Sequence, residues 1–93
     1  MTDGGNAISW NDASQRLAFF VSHRGASVPC YMHGLDFLRA FSVMSLTEGS
    51  IRAAFDEHHR EIRAAAVAKA EAGGFEAEAG DAERFISVTV RDL

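Results

Sequence analysis

The apolar positions along the chain fall into two periods, one of two residues and one close to 3.6. Ile8 and Trp10 alternate with Ala7 and Ser9, which predicts a short strand. Over residues 16–22, Leu17, Phe19 and Val21 point one way, while Arg16, Ala18, Phe20 and Ser22 point the other. Residues 27–32 repeat the alternation, with Val28, Cys30 and Met32 inward. Between these runs lie Asn11-Asp12-Ala13-Ser14 and His23-Arg24-Gly25-Ala26, both turn chemistry, so the three strands are expected to form a meander. Pro29 has no N–H to give a ladder; its strand is therefore at a sheet edge, or the proline nitrogen faces outward. From Gly34 to Phe41 the period lengthens: Leu35, Leu38 and Phe41 recur at three-residue steps with Asp36 and Arg39 outward, predicting a short helix.

The stretch from Ser45 to Gly74 predicts one long amphipathic helix. Two start signals overlap. Ser45 and Glu48 have capping-box spacing, and Thr47 between Leu46 and Ile51 offers a cap with a hydrophobic staple. From Ile51 on, no breaker occurs before Gly73-Gly74, a left-handed stop. Ile51, Phe55, Ile62, Ala66 and Lys69 share a narrow arc at about 100° per residue. About 25 residues of helix measure about 37 Å, whereas a domain of this size is about 25–30 Å across. The alanine-rich last turns (Ala64, Ala65, Ala66, Ala68, Ala70, Ala72) are therefore expected to overhang their own core.

Beyond the glycines, residues 84–91 alternate again, with Ile86, Val88 and Val90 on one face and Phe85, Ser87 and Thr89 on the other. A turn at Gly80-Asp81 would pair this strand with residues 75–78, although that acidic segment is equally readable as a loop. The whole is an α+β fold: an antiparallel sheet of four to five strands with the long helix and the short one packed on one face. Residues 1–6 form a polar, glycine-rich mobile tail, and 7–93 a single domain.

Composition changes this picture only by exclusion. A net charge of −4 argues against nucleic acid as a partner, since phosphate backbones require a basic face. One cysteine allows no internal disulfide. No apolar run is long enough to cross a bilayer, and the N-terminus has neither the basic start nor the apolar core of a signal peptide. A cytoplasmic protein without membrane contact is expected.

Ile8 and Trp10 ahead of a Phe-bearing strand are followed by Val28-Pro29-Cys30, Ala54-Phe55-Asp56-Glu57-His58, Ile62 and the alanines. Gly74-Phe75-Glu76 and a closing apolar run to Asp92 come next. In these residues the chain resembles a small bacterial family known as domain of unknown function 1488. Members of that family tend to begin the short helix with Ser or Thr, where this chain has Met32-His33-Gly34. The resemblance implies an α+β fold and a bacterial source. It implies no activity and assigns no site residue.

Candidate chemistry is sparse. Cys30 with His33 suggests a nucleophile beside a base, but Cys30 shares the inward face of Val28 and Met32, and His33 points the opposite way. His58-His59 suggests a metal site, yet adjacent histidines on a helix project about 100° apart, and only His58 and Glu61 share a local face. Both rings flank the apolar stripe, as half-buried rim residues do. Arg52, Asp56, Glu57, Arg60 and Arg63 are spaced for helix-supporting pairs on a solvated face. No cofactor motif, metal cluster or catalytic set is assigned. What remains are contact surfaces. Phe20 and Phe85 lie on the face opposite the inward sets of their strands, and Ala64, Ala68 and Ala72, spaced four apart with Val67 beside them, form a flat helix edge that admits another backbone. The expected function is an accessory interaction module that forms a homo-oligomer or binds a protein partner. The alternative is a small-ligand protein or enzyme using Cys30 or a histidine.

Overall fold

A computed structural model of the chain describes residues 8–77 and 84–93. The elements are β1 (Ser9–Asn11), β2 (Arg16–His23), β3 (Ala26–His33), α1 (Gly34–Phe41), α2 (Glu48–Glu71), β4 (Glu76–Ala77) and β5 (Arg84–Val88), closed by a 3-10 turn at Val90–Asp92. The strands lie side by side in the order β1-β2-β3-β5-β4.

The first three strands form the expected antiparallel meander. Arg24 and Gly25, with φ of 53° and 78°, join β2 to β3 in a two-residue turn whose left-handed backbone matches the twist of the strands. β4 and β5 pair antiparallel through Glu76 with Phe85 and Ala77 with Arg84, so the acidic segment does supply a strand. The turn expected at Gly80-Asp81 lies outside the described residues, as does the tail expected over residues 1–6.

One pair is parallel. Cys30, Met32 and the residue between them run alongside Ile86, Val88 and Ser87 in the same direction, which makes the α+β sheet mixed. A parallel neighbour needs a long crossover, and α1 with α2 provides it. This places β3 inside the sheet. The two-residue turn makes His23 and Ala26 a hydrogen-bonded pair, so alternation puts Phe20 and Pro29 in a non-bonded pair. Pro29 thus turns its nitrogen away from β2, and on its other side the ladder with β5 begins only at Cys30.

The core occupies one face of the sheet. Leu17, Phe19, Val21, Val28, Cys30, Met32, Ile86 and Val88 are buried there, as their alternation required. Against them α1 packs Phe37, and α2 packs Ile51, Phe55, Ile62 and Ala66. The phase of α1 differs from the expected one: Leu35 is 55% exposed, while Gly34 and Phe37 are buried. Gly34 sets that phase. Its N–H donates to the Gln15 carbonyl at 2.8 Å. A Cβ there would stand 2.5 Å from Leu46 Cδ2 and 3.2 Å from the Trp10 ring. The helix is started by this close approach and not by a capping side chain, for His33 makes no such bond.

At the start of α2 the Thr47 alternative holds, with its hydroxyl accepting from Ser50 N–H at 3.3 Å. At the end, Gly73 takes φ 79°. Gly73 N–H then donates to Ala70 O and Gly74 N–H to Lys69 O, which closes a Schellman motif. The helix has 24 residues and is about 36 Å long. The expected overhang is absent, because its last turns lie on the core: Ala66 and Ala70 are buried, and Lys69 Nζ donates to Ser87 O at 2.6 Å. Ala64, Ala68 and Ala72 do face out.

β5 also ends earlier than its alternation suggested. Asp92 Oδ2 accepts from Thr89 N–H at 2.8 Å and from Lys69 Nζ at 3.1 Å, while Thr89 caps the turn in return. That reciprocal cap draws Val90 out of the ladder, and Asp36 of α1 accepts its N–H at 3.1 Å. Among the described residues, no helix is long and apolar enough to cross a membrane.

Candidate interaction surface

The sequence's chemical candidates are accounted for first. Cys30 is fully buried on β3, where its thiol donates weakly to Val28 O at 3.5 Å. Burial pushes its pKa up to about 12, outweighing a backbone hydrogen bond from Val21 and the positive charge of Arg63. His33 is exposed at the end of the same strand, on the other face. A thiol this protonated is a poor nucleophile. Native protein is accordingly expected to react with a thiol reagent at least about a hundredfold more slowly than protein unfolded in urea. Equal labelling rates would contradict the burial.

His58 Nδ1 meets Glu61 Oε1 at 2.7 Å, and its ring stacks on Phe41 at 4.0 Å with the planes 7° apart. His59 sits on the other shoulder of α2, 6.4 Å from the Phe55 ring. Among the described residues, no group of three or more His, Cys, Asp or Glu is placed to hold a metal ion. Arg52 turns back one helical turn to Glu48 at 2.7 Å and reaches the Ile8 carbonyl at 3.4 Å.

The contact candidates separate into two places. On the outer face of the sheet, opposite the core, Phe20 is 44% exposed. Phe85 is half-buried there, edge-on to Tyr31 at 5.1 Å, with the Arg16 guanidinium 4.0 Å above the Tyr31 ring. On the other side, Ala64, Val67 and Ala68 line an open groove of about 640 Å³ whose facing wall is Val21 and Ser22 of β2.

That groove follows from a mismatch of strand lengths. β1 has three residues and covers only Arg16, Leu17 and Ala18 of the eight-residue β2. Among the described residues nothing pairs with the remainder of that edge. Arg63 lies across it instead: Nη1 donates to the Phe20 carbonyl at 3.3 Å, with the guanidinium 5.5 Å from the Phe55 ring centre. Its Nε and Nη2 are buried without a hydrogen-bond partner among the described residues. The structure thus brings Ala64, Val67 and Ala68 together with the backbone of Phe20, and it leaves Phe85 on the far face. Val21, Ser22 and Arg63 belong to this surface although their spacing assigned them to a core face, a sheet face and a solvated helix face. The unequal lengths of the first two alternating runs were the available signal.

The family model described as "Protein of unknown function (DUF1488)" matches residues 5–81. The chain belongs to this DUF1488 family. A crystal structure of another DUF1488 protein, from Shewanella loihica PV-4, has the same fold. It aligns with a TM-score of 0.75 over 96% of this chain and 97% of that one, at 13% identity. At that identity the likeness concerns the fold alone. No curated protein matches the chain. The expected family and the α+β class are thereby established for this DUF1488 chain, and the family description carries no activity.

Proposed function

We propose that this DUF1488 chain is a small bacterial, cytoplasmic interaction module, a single domain over residues 7–93, that associates with a second copy of itself. Its contact surface is the outward edge of α2 around Ala64, Val67 and Ala68 together with the flank of β2. The observation that carries this reading is the groove itself. A helix edge of small side chains and a length of β2 that is unpaired on this side among the described residues face the same space of about 640 Å³. Small residues let a second backbone approach closely, and Val67 is left half-exposed at the centre of the edge. The alternative, an enzyme or ligand-binding protein acting through Cys30, is weakened by the burial of that thiol and its raised pKa.

Sedimentation equilibrium at micromolar concentration tests the proposal. A dimer is expected for the unmodified chain. Ala68→Glu is expected to weaken it by about a hundredfold or more, since a close-packed contact must then desolvate a carboxylate, while the folded monomer is nearly indifferent to it. A monomer for the unmodified chain sinks the proposal. A dimer that ignores Ala68→Glu moves the contact to the outer face at Phe20 and Phe85, and so refutes the surface proposed.

A further inference from the structure

We propose that the groove between α2 and β2 is a binding site for a small carboxylic acid with an apolar body. Such an acid would take the same space as the second copy proposed above, but its site stands without that association. Charge along α2 is unevenly met. Among the described residues, Arg52 of this helix is paired with Glu48, His58 with Glu61 and Lys69 with Asp92. The other basic side chains of α2, His59, Arg60 and Arg63, have no acidic partner among the described residues, and all three line the groove. No described Asp or Glu lines it with them. Asp56, one turn before Arg60, opens instead on the hollow beside Ile8. A chain of net charge −4 thus holds an uncompensated basic cluster at this place.

The cluster occupies one end of the groove. His59 and Arg63 stand four residues apart, and Arg60 and Arg63 three apart, so they are neighbours on the helix surface. The Arg63 guanidinium is held at one point, where Nη1 donates to the Phe20 carbonyl at 3.3 Å. Its Nε and Nη2 are buried without an acceptor among the described residues. Buried donors are ordinarily paired, and an orphaned one calls for an acceptor that completes it. A carboxylate suits a guanidinium better than a neutral group does, since its two oxygens match two parallel N–H donors. Arg60, exposed one turn from Arg63, can close on the same carboxylate from the solvent side.

The other end is apolar. Along α2 the lining continues as Ala64, Val67 and Ala68, with Val21 of β2 across from them. Ser22 is the one polar side chain that joins them. The volume of about 640 Å³ lies within the range of small-molecule sites, about 300–1,000 Å³, which combine an apolar lining with a few convergent polar groups. A bare anion would leave the apolar end in water, and an uncharged hydrocarbon would leave the arginines uncompensated. An acid with an apolar body meets both ends.

Titration of the unmodified chain with octanoate, followed by the NMR shifts of the Val21 and Val67 methyl groups, tests the assignment. Saturable shifts at both residues are expected. Octanol carries the tail alone and inorganic phosphate the charge alone, so each should bind at least about tenfold more weakly. Arg60→Gln and Arg63→Gln are each expected to weaken octanoate about tenfold, as the loss of a charge-assisted hydrogen bond does. If Arg63→Gln fails to fold, Arg60→Gln and the comparison with octanol decide without it. The absence of a saturable shift with octanoate overturns the proposal. Octanol binding as tightly as the acid also overturns it, by making the groove an apolar cleft only, and phosphate binding as tightly would reduce it to a plain anion site. Sedimentation of the same samples keeps this proposal apart from self-association. A monomer that binds octanoate refutes the association alone, and a dimer whose methyl groups ignore octanoate refutes the acid site alone. A dimer that octanoate dissociates supports both.

Discussion

Phe55→Ala is expected to lower stability by about 3–5 kcal/mol, the usual loss when a buried phenylalanine leaves a cavity behind it. The ring is 3% exposed, lies 5.2 Å from the Phe19 ring and sits beneath the Arg63 guanidinium. Removing it therefore empties the middle of the joint between α2 and the sheet. A folded chain of this length has only about 5–15 kcal/mol in total and, being small, belongs near the lower end. The melting temperature should fall by roughly 15–30 °C. Ala53→Ser, two residues away on the exposed face, changes only helix propensity and should cost less than about 1 kcal/mol. Urea unfolding of the pair measures both. Similar losses would mean that α2 does not present Phe55 to the core.

How far such features can be read from residues alone depends on how local their causes are. The inward sets of β2 and β3 were legible because alternation is written into adjacent positions, and the two-residue turn at Arg24-Gly25 allows one register only. The direction of β5 was not legible. A half-buried strand shows the same alternation whether its neighbour runs parallel or antiparallel, and the outcome depends on the crossover through both helices. The phase of α1 failed for a related reason. Leu35, Leu38 and Phe41 satisfy helical spacing as well as Phe37 and Phe41 do. The deciding residue is Gly34, whose missing side chain admits Leu46 and Trp10 and which no hydrophobic count registers.

The candidate surface divides in the same way. Ala64, Val67 and Ala68 were legible as one edge because they lie on a single helix. Their reason for being a surface was not, since it needs Val21 and Ser22 of β2 to stand across the groove from them. The overhang inferred from helix length was wrong because the sheet itself extends under the last turns, where Ala66 and Ala70 are buried. Lys69, placed by periodicity in the apolar arc, indicated as much: a charged residue in that arc needs a partner, and it has the Ser87 carbonyl and Asp92.

Asp92→Ala is expected to cost about 2–3 kcal/mol at neutral pH. That lies between the small value of an exposed ion pair and the larger one of a buried pair robbed of a partner. The Asp92 side chain is 22% exposed and that of Lys69 25%, so solvent screens the pair only in part. One oxygen, Oδ2, accepts from Thr89 N–H, Thr89 Oγ1 and Lys69 Nζ, and this cluster ties the chain's last turn to α2. Desolvation by burial tends to raise the Asp92 pKa, but the Thr89 hydrogen bonds and the charge of Lys69 outweigh it and hold the carboxyl below its ordinary value. The sign of the pH dependence follows. With a folded pKa below the unfolded value of about 3.9, the unfolded chain takes up this proton first as pH falls. The contribution is thus complete above about pH 5 and is lost as pH drops through the folded pKa. Unfolding the unmodified chain and Asp92→Ala in urea from pH 7 down to pH 2 should show their difference constant at first and then shrinking below about pH 4. A difference that stays level across the whole range would show that Asp92 acts by shape and not by charge. In that case the link from Lys69 to the chain's end would be ordinary packing.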